Sequence, residues 1–158
     1  MEDRLFRDAM GKFATGVTVI TTQLGEETHG MTANAFMSVS LNPKLIVVSI
    51  DERASMLPKI QESGTFAVNI LAEDQQYLSQ HFAGKREDGV TIPFATLEGY
   101  PVLEGAVAQI VCDVANVHVE GDHTLFIGRV KAIQLEARQP LLFYSGKYET
   151  IQPSQIVI

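Results

Sequence analysis

The chain has a single cysteine among its 158 residues. Cys112 alone can build neither an internal disulfide nor a zinc cluster, so a reducing, cytoplasmic setting is expected. Cations are also scarce. Twelve Lys and Arg face nineteen Asp and Glu, for a net charge of −7. Phosphate backbones are bound by basic surfaces, so nucleic acid is not expected as a partner. Long apolar runs are missing too. The longest, Leu45 to Ile50, falls far short of the ~20 residues a membrane helix needs. The opening MEDRLFRDAM carries charge where a signal peptide carries an apolar core. No membrane contact is expected. No glycines fall in a dinucleotide or P-loop pattern, and there is no G-x-S-x-G elbow. His29, His81, His118 and His123 lack ligand spacing, and no metal is expected.

What is present is ample core material, 46% hydrophobic against 20% charged, in a length that suits one domain over residues 1–158. Phe6, Met10 and Phe13 recur at helical spacing, which predicts an amphipathic helix over Asp3 to Phe13. The β-branched run Gly16 to Thr22 reads as a strand. A polar turn at Leu24 to Glu27 then leads into a second strand, His29 to Phe36, making a hairpin. Further strands are expected at Leu45–Ile50, Thr65–Leu71, Val107–Val119, Thr124–Leu135 and Pro140–Tyr144. Helices are expected at Ala54–Glu62, with Ser55 as N-cap, and at Glu73–Phe82. Residues 85–100 read as a long functional loop. Strands and helices do not alternate as βαβα. A mainly β, closed or nearly closed antiparallel barrel with helices at its ends fits this order.

Several clusters could carry chemistry. Residues 32, 34, 36, 38 and 40 would share one face of an extended segment, presenting Thr32, Asn34, Ser38 and Ser40 around Phe36. Such hydroxyls can hold a phosphate or the edge of a flat ring, or simply form a solvated edge. His123 follows Gly121-Asp122 at a turn, where it can point into a cleft or make an ordinary backbone contact. Lys85 and Arg86 follow a helix end, where they offset the dipole or meet phosphates. Tyr144 to Tyr148 sets aromatic rings beside Lys147. Cys112, in an apolar strand, reads as a buried thiol rather than a nucleophile.

Read together, these segments resemble the flavin reductase-like family. The resemblance runs through Phe6-Arg7-Asp8-Ala9-Met10, Phe13 to Thr21, Gly30 to Phe36, Ser38 to Pro43, Phe66 to Leu71, Gly121-Asp122-His123, Gly128-Arg129-Val130 and Pro140 to Tyr144. It spans about residues 1–148 and is nearest to reductase components of two-component aromatic hydroxylases. The resemblance implies an antiparallel split barrel that works as a homodimer. It implies oxidation of NADH (NADPH being possible) and reduction of FAD (FMN being possible). The reduced flavin would serve a separate oxygenase that hydroxylates a phenolic substrate. By the same likeness, Thr32, Ala33 and Asn34 would line the flavin ring, and Ser38, Val39 and Ser40 the ribityl and phosphate portion. Ser55 would meet a phosphate, and Phe82, Ala83, Gly84 and Lys85 would flank the flavin. His123 would lie near the nicotinamide, with Tyr148 covering the cleft. Hydride transfer belongs to the cofactors, so no side chain is expected to be indispensable. A non-catalytic flavin binder or sensor on the same barrel, a pyridoxine phosphate oxidase-like enzyme and a plain structural barrel stand as rivals.

Overall fold

The computed structural model describes residues 1–152. The chain begins with α1 (Asp3–Gly11) and the short strand β1 (Thr15–Gly16). Three strands follow, β2 (Thr18–Leu24), β3 (Glu27–Ala33) and β4 (Phe36–Leu41). Next come β5 (Lys44–Asp51), α2 (Met56–Ser63), β6 (Thr65–Ile70) and α3 (Gln76–Phe82). A small hairpin, β7 (Ala95–Leu97) and β8 (Tyr100–Val102), precedes the long pair β9 (Ala108–Glu120) and β10 (His123–Leu135). The described chain closes with β11 (Leu141–Tyr144) and β12 (Lys147–Thr150).

Seven strands form one antiparallel sheet in the order β3-β2-β6-β9-β10-β5-β4. The mainly β, antiparallel expectation therefore holds. The hydrogen-bonded order is linear, with β3 and β4 as its edges. β1, β11 and β12 make a second, three-stranded sheet.

The β-branched run behaves as its composition demands. Thr18 to Thr22 is buried at every position because both faces of β2 are covered. Ile20 points into a core with Val48, Phe66, Val68 and Phe126. Val17 and Val19 point the other way, against Leu71, Leu78, Phe82 and Leu141. The buried threonine hydroxyls are satisfied: Thr21 donates to the Pro101 carbonyl at 2.6 Å and Thr22 to that of Thr65 at 2.7 Å. Cys112 is fully buried, and burial pushes its thiol up to about 12, so it is an inert core residue.

Four expectations need correction. The predicted strand His29 to Phe36 is two pieces. The Phe36 N–H donates to the Asn34 carbonyl at 2.9 Å, and this tight turn sends β3 and β4 to opposite sheet edges. Thr32, Asn34, Ser38 and Ser40 therefore do not share one strand face, and a register shift between Ser38 and Ser40 breaks the alternation again. The first helix stops at Gly11, so Phe13 lies beyond it. α3 starts at Gln76 rather than Glu73. The Gln75 side chain accepts from the Ala72 N–H at 2.9 Å and supports the turn that replaces the expected first helical residues. The long loop is shortened at its end by β7 and the start of β8. Residues 149–158 match no motif in the sequence; of these, 153–158 lie outside the described residues.

Candidate functional site

Two cavities open along β3: residues 28–30 line one, together with Phe82, and residues 32–34 line the other. The seat of Phe82 follows from one glycine. A Cβ at Gly30 would sit 2.7 Å from the Phe82 ring, so only glycine lets α3 lay that ring on the strand.

One is a small neutral cavity of about 230 Å³. Thr32, Ala33, Asn34, Ala83 and Tyr148 line it, together with Ser79 and Phe143. The Thr32 hydroxyl donates to the Ser79 carbonyl at 2.6 Å. The Ser79 and Tyr148 hydroxyls share a hydrogen bond of 2.7 Å. Phe143 meets Tyr148 edge to face at 5.3 Å between ring centres. These contacts pin α3 between β3 and β12 and leave the cavity a rigid, uncharged wall.

The other is a cavity of about 300 Å³ whose titratable lining is basic: His29 from β3, Lys59 from α2, and His81 and Arg86 from α3 and the segment after it. Ser55 lines it too. Ser55 stands at the N-cap position of α2, but its hydroxyl makes no capping bond, so it is not spent on the helix. Lys59 follows one turn later on the same helix face. Burial pushes both histidines below their ordinary value, and nearby Lys59 and Arg86 add to this for His29, as Arg86 does for His81.

Five residues expected to bind cofactor thus gather at the neutral end, and Ser55 and Phe82 join the basic end. Others do not enter either cavity. Gly84 leaves α3 with φ +90, a turn that suits glycine. Lys85 is exposed and donates its backbone N–H to the Gln80 carbonyl at 3.0 Å. The basic lining comes from Arg86 instead. Ser38, Val39 and Ser40 sit on the edge strand β4 and line neither cavity.

His123 also lines neither cavity; the register sets it at the start of β10, beside the end of β5. The Ala35 carbonyl accepts from the Ser49 N–H at 3.1 Å, and His123 pairs with Asp51, two residues further on. The His123 Nδ1 lies 2.8 Å from the Asp122 carboxylate. That bond holds Asp122 below its ordinary value. Asp51 is held well below the usual carboxylate range by Arg53, which binds it with both guanidinium and backbone N–H. Asp51 is therefore committed to Arg53, and Asp122 is the carboxylate that orients the imidazole.

The sequence reading missed His29, Lys59, His81, Ser79 and Phe143. The Ser55–Lys59 spacing on one helix was the one local signal available.

Comparison with known proteins places this constellation. A family model described as a flavin reductase like domain matches residues 10–152. An NADH-dependent flavin reductase from a Rhodococcus species is 46% identical, over 92% of this chain and 85% of that protein. The reductase component of 4-hydroxyphenylacetate 3-monooxygenase from Thermus thermophilus is 39% identical, over 92% of this chain and 95% of its own. Among solved structures, the native flavin reductase PheA2 is 61% identical with a TM-score of 0.95, covering 97% of this chain and 100% of that one. From residue 10 to residue 152, the chain belongs to the flavin reductase-like family.

Proposed function

We propose that this chain is an NADH:flavin oxidoreductase of one domain that hands reduced flavin to a separate oxygenase acting on a phenolic substrate. The observation that carries the reading is the pair of cavities along β3. One end is uncharged, walled by hydroxyls, backbone and two aromatic rings, and suits a flat polar ring. The other gathers Lys59, Arg86, His29 and His81 in a chain of net charge −7, and suits phosphate. The present residues fit a flavin nucleotide laid across Phe82, with Thr32, Ala33 and Asn34 at its ring and Ser55 at its phosphates. FAD is the favoured flavin and FMN the second.

A flavin held by Thr32, Ala33, Asn34 and Ser55 would supply the hydride-accepting chemistry for NADH oxidation. The protein's part is to stack the two rings and exclude misaligned poses. The Ser79–Tyr148 bond fixes one wall. His123, held by Asp122 through Nδ1, would use its other ring nitrogen to meet the nicotinamide amide. No side chain need be indispensable. His123→Ala should raise KM for NADH severalfold and leave flavin affinity within twofold, as read by steady-state kinetics and flavin fluorescence.

A homodimer on an antiparallel split barrel completes the reading. α1 buries none of its residues in the single chain, and Phe6, Met10 and Phe13 are 56%, 58% and 79% exposed. Phe13 shares an apolar cavity with Phe36, Met37 and Leu125, and Asn34 lines that cavity as well as the neutral end of the cleft. A second copy covering this face would wall the ring site. No helix among the described residues is long and apolar enough to cross a membrane. A cytoplasmic setting agrees with the buried, unpaired Cys112.

The deciding experiment is NADH oxidation with FAD, FMN and riboflavin offered in turn, followed by the absorbance of the reduced nicotinamide. Turnover with FAD and FMN at lower KM than with riboflavin is expected. Flavin binding without NADH consumption would make the protein a flavin carrier or sensor instead.

A further inference from the structure

The basic cavity contains two kinds of positive group. Lys59 and Arg86 bring an ammonium and a guanidinium to its lining. His29 and His81 are different. They face the same cavity from β3 and α3. Among the described residues, the only ionic contact to either imidazole is Glu27, 3.6 Å from His29 and itself 83% exposed. His81 packs its ring edge to face against Phe82 at 4.8 Å. Among the described residues neither ring makes a hydrogen bond, and both line a space already framed by Lys59, Arg86 and the uncommitted Ser55 hydroxyl.

Resting on the flavin-binding reading above, we propose that His29 and His81 are direct ligands of the flavin's diphosphate and take up a proton as it binds. The groups around them set the direction. Without ligand, burial and the neighbouring Lys59 and Arg86 favour the neutral imidazole at His29, opposed only by Glu27; burial and Arg86 do the same at His81. A diphosphate among the four groups reverses the local field and favours the charged imidazole. The bound form then holds more protons than the free form, so affinity falls as pH rises. At acid pH both rings are already charged, and the dependence flattens. The dependence belongs to the phosphate end alone, because His29 and His81 do not line the neutral cavity. Reduced flavin carries the same diphosphate, so alkaline pH favours its release to the oxygenase.

FAD is the probe, because its diphosphate keeps its charge across the neutral range, and riboflavin, which has no phosphate, is the control. Dissociation constants come from flavin fluorescence, and proton uptake from calorimetry in two buffers of different ionisation enthalpy. For the wild-type protein, the FAD Kd should rise about 3- to 10-fold between about pH 6.5 and 8.5, with riboflavin flat. The double variant His29→Asn, His81→Asn should lose both the slope and the uptake. His81→Asn alone, on a half-exposed position of α3, should lose part of both and decides the matter if the double variant does not fold. Equal pH profiles for FAD and riboflavin, or a slope that survives the histidine variants, would overturn the proposal. FAD that binds and is reduced by NADH without proton uptake sinks this inference alone. Failure to bind FAD at any pH sinks the flavin reductase reading with it.

Discussion

The two cavities along β3 recognise by opposite means. At the neutral end, binding surface is made from backbone, small side chains and hydroxyls already hydrogen-bonded within the fold. At the basic end, two fixed cations and two histidines converge from three elements and the segment after α3. The first depends on shape, which salt and pH hardly touch. The second depends on charge, which both can weaken. The contrast teaches that net charge is a poor guide to a local site. A chain of −7 can still concentrate its few cations where a phosphate must sit.

The contrast is most open to attack at Lys59. Lys59→Met removes a charged partner without emptying the core. A charge-assisted hydrogen bond is worth about 1.5–3 kcal/mol, so FAD and FMN affinity should fall about 10- to 100-fold. Riboflavin binding should stay within twofold. Equal losses for all three flavins, measured by fluorescence titration, would erase the distinction between the ends. Gly30→Ala attacks the seat of Phe82. The new Cβ, 2.7 Å from the Phe82 ring, must displace it. Strain of about 1–3 kcal/mol predicts about tenfold weaker binding of all three flavins. A loss confined to FAD and FMN would mean that Phe82 serves only the basic end. Tyr148→Phe probes the neutral end. It removes the hydroxyl partner of the buried Ser79, worth about 1 kcal/mol, so all three flavins should bind about fivefold more weakly. Loss of FAD binding alone would place Tyr148 at the phosphates.

Much of the fold was legible because its signals are local. The β-branched run at Thr18 to Thr22, the continuous apolar run at Leu45 to Ile50 and the Gly121-Asp122 turn each act through neighbours in sequence, and each appears where expected. The break at Asn34 was hidden because the polar residues Thr32, Asn34, Ser38 and Ser40 keep the same parity on both sides of it. Only the carbonyl of Asn34 and the pairing of β4 with β5 reveal the turn. The neutral end was reached through resemblance at Thr32, Ala33 and Asn34, while Ser79 was masked by its place in a short helix. The basic end was the least legible. His29, Lys59 and Arg86 are separated by tens of residues, and they meet only because β3, α2 and the segment after α3 pack around one space. Lys85 looked equivalent to Arg86 in sequence, and both are exposed, yet after the turn at Gly84 it is Arg86 that lines the cavity.

The smallest expected effect separates the ends without any ligand. His29 and His81 sit below their ordinary value in the folded chain, so the unfolded chain binds more protons near pH 6 than the folded one does. Stability must then fall as pH drops through the ordinary histidine range and is fully recovered above it. The carboxylates Asp51 and Asp122 are shifted down as well, but their contribution is lost only at much lower pH. Between about pH 7.5 and 5.5 the ligand-free protein should therefore lose about 1–2 °C of Tm more than the His29→Asn, His81→Asn variant does. FAD should remove that difference, because the charged imidazoles then have a partner, whereas riboflavin should not. Identical melting curves for the two proteins across this range would show that the histidines titrate alike folded and unfolded. The basic end would then be an assembly of Lys59 and Arg86 alone, as indifferent to pH as the ring cavity beside it.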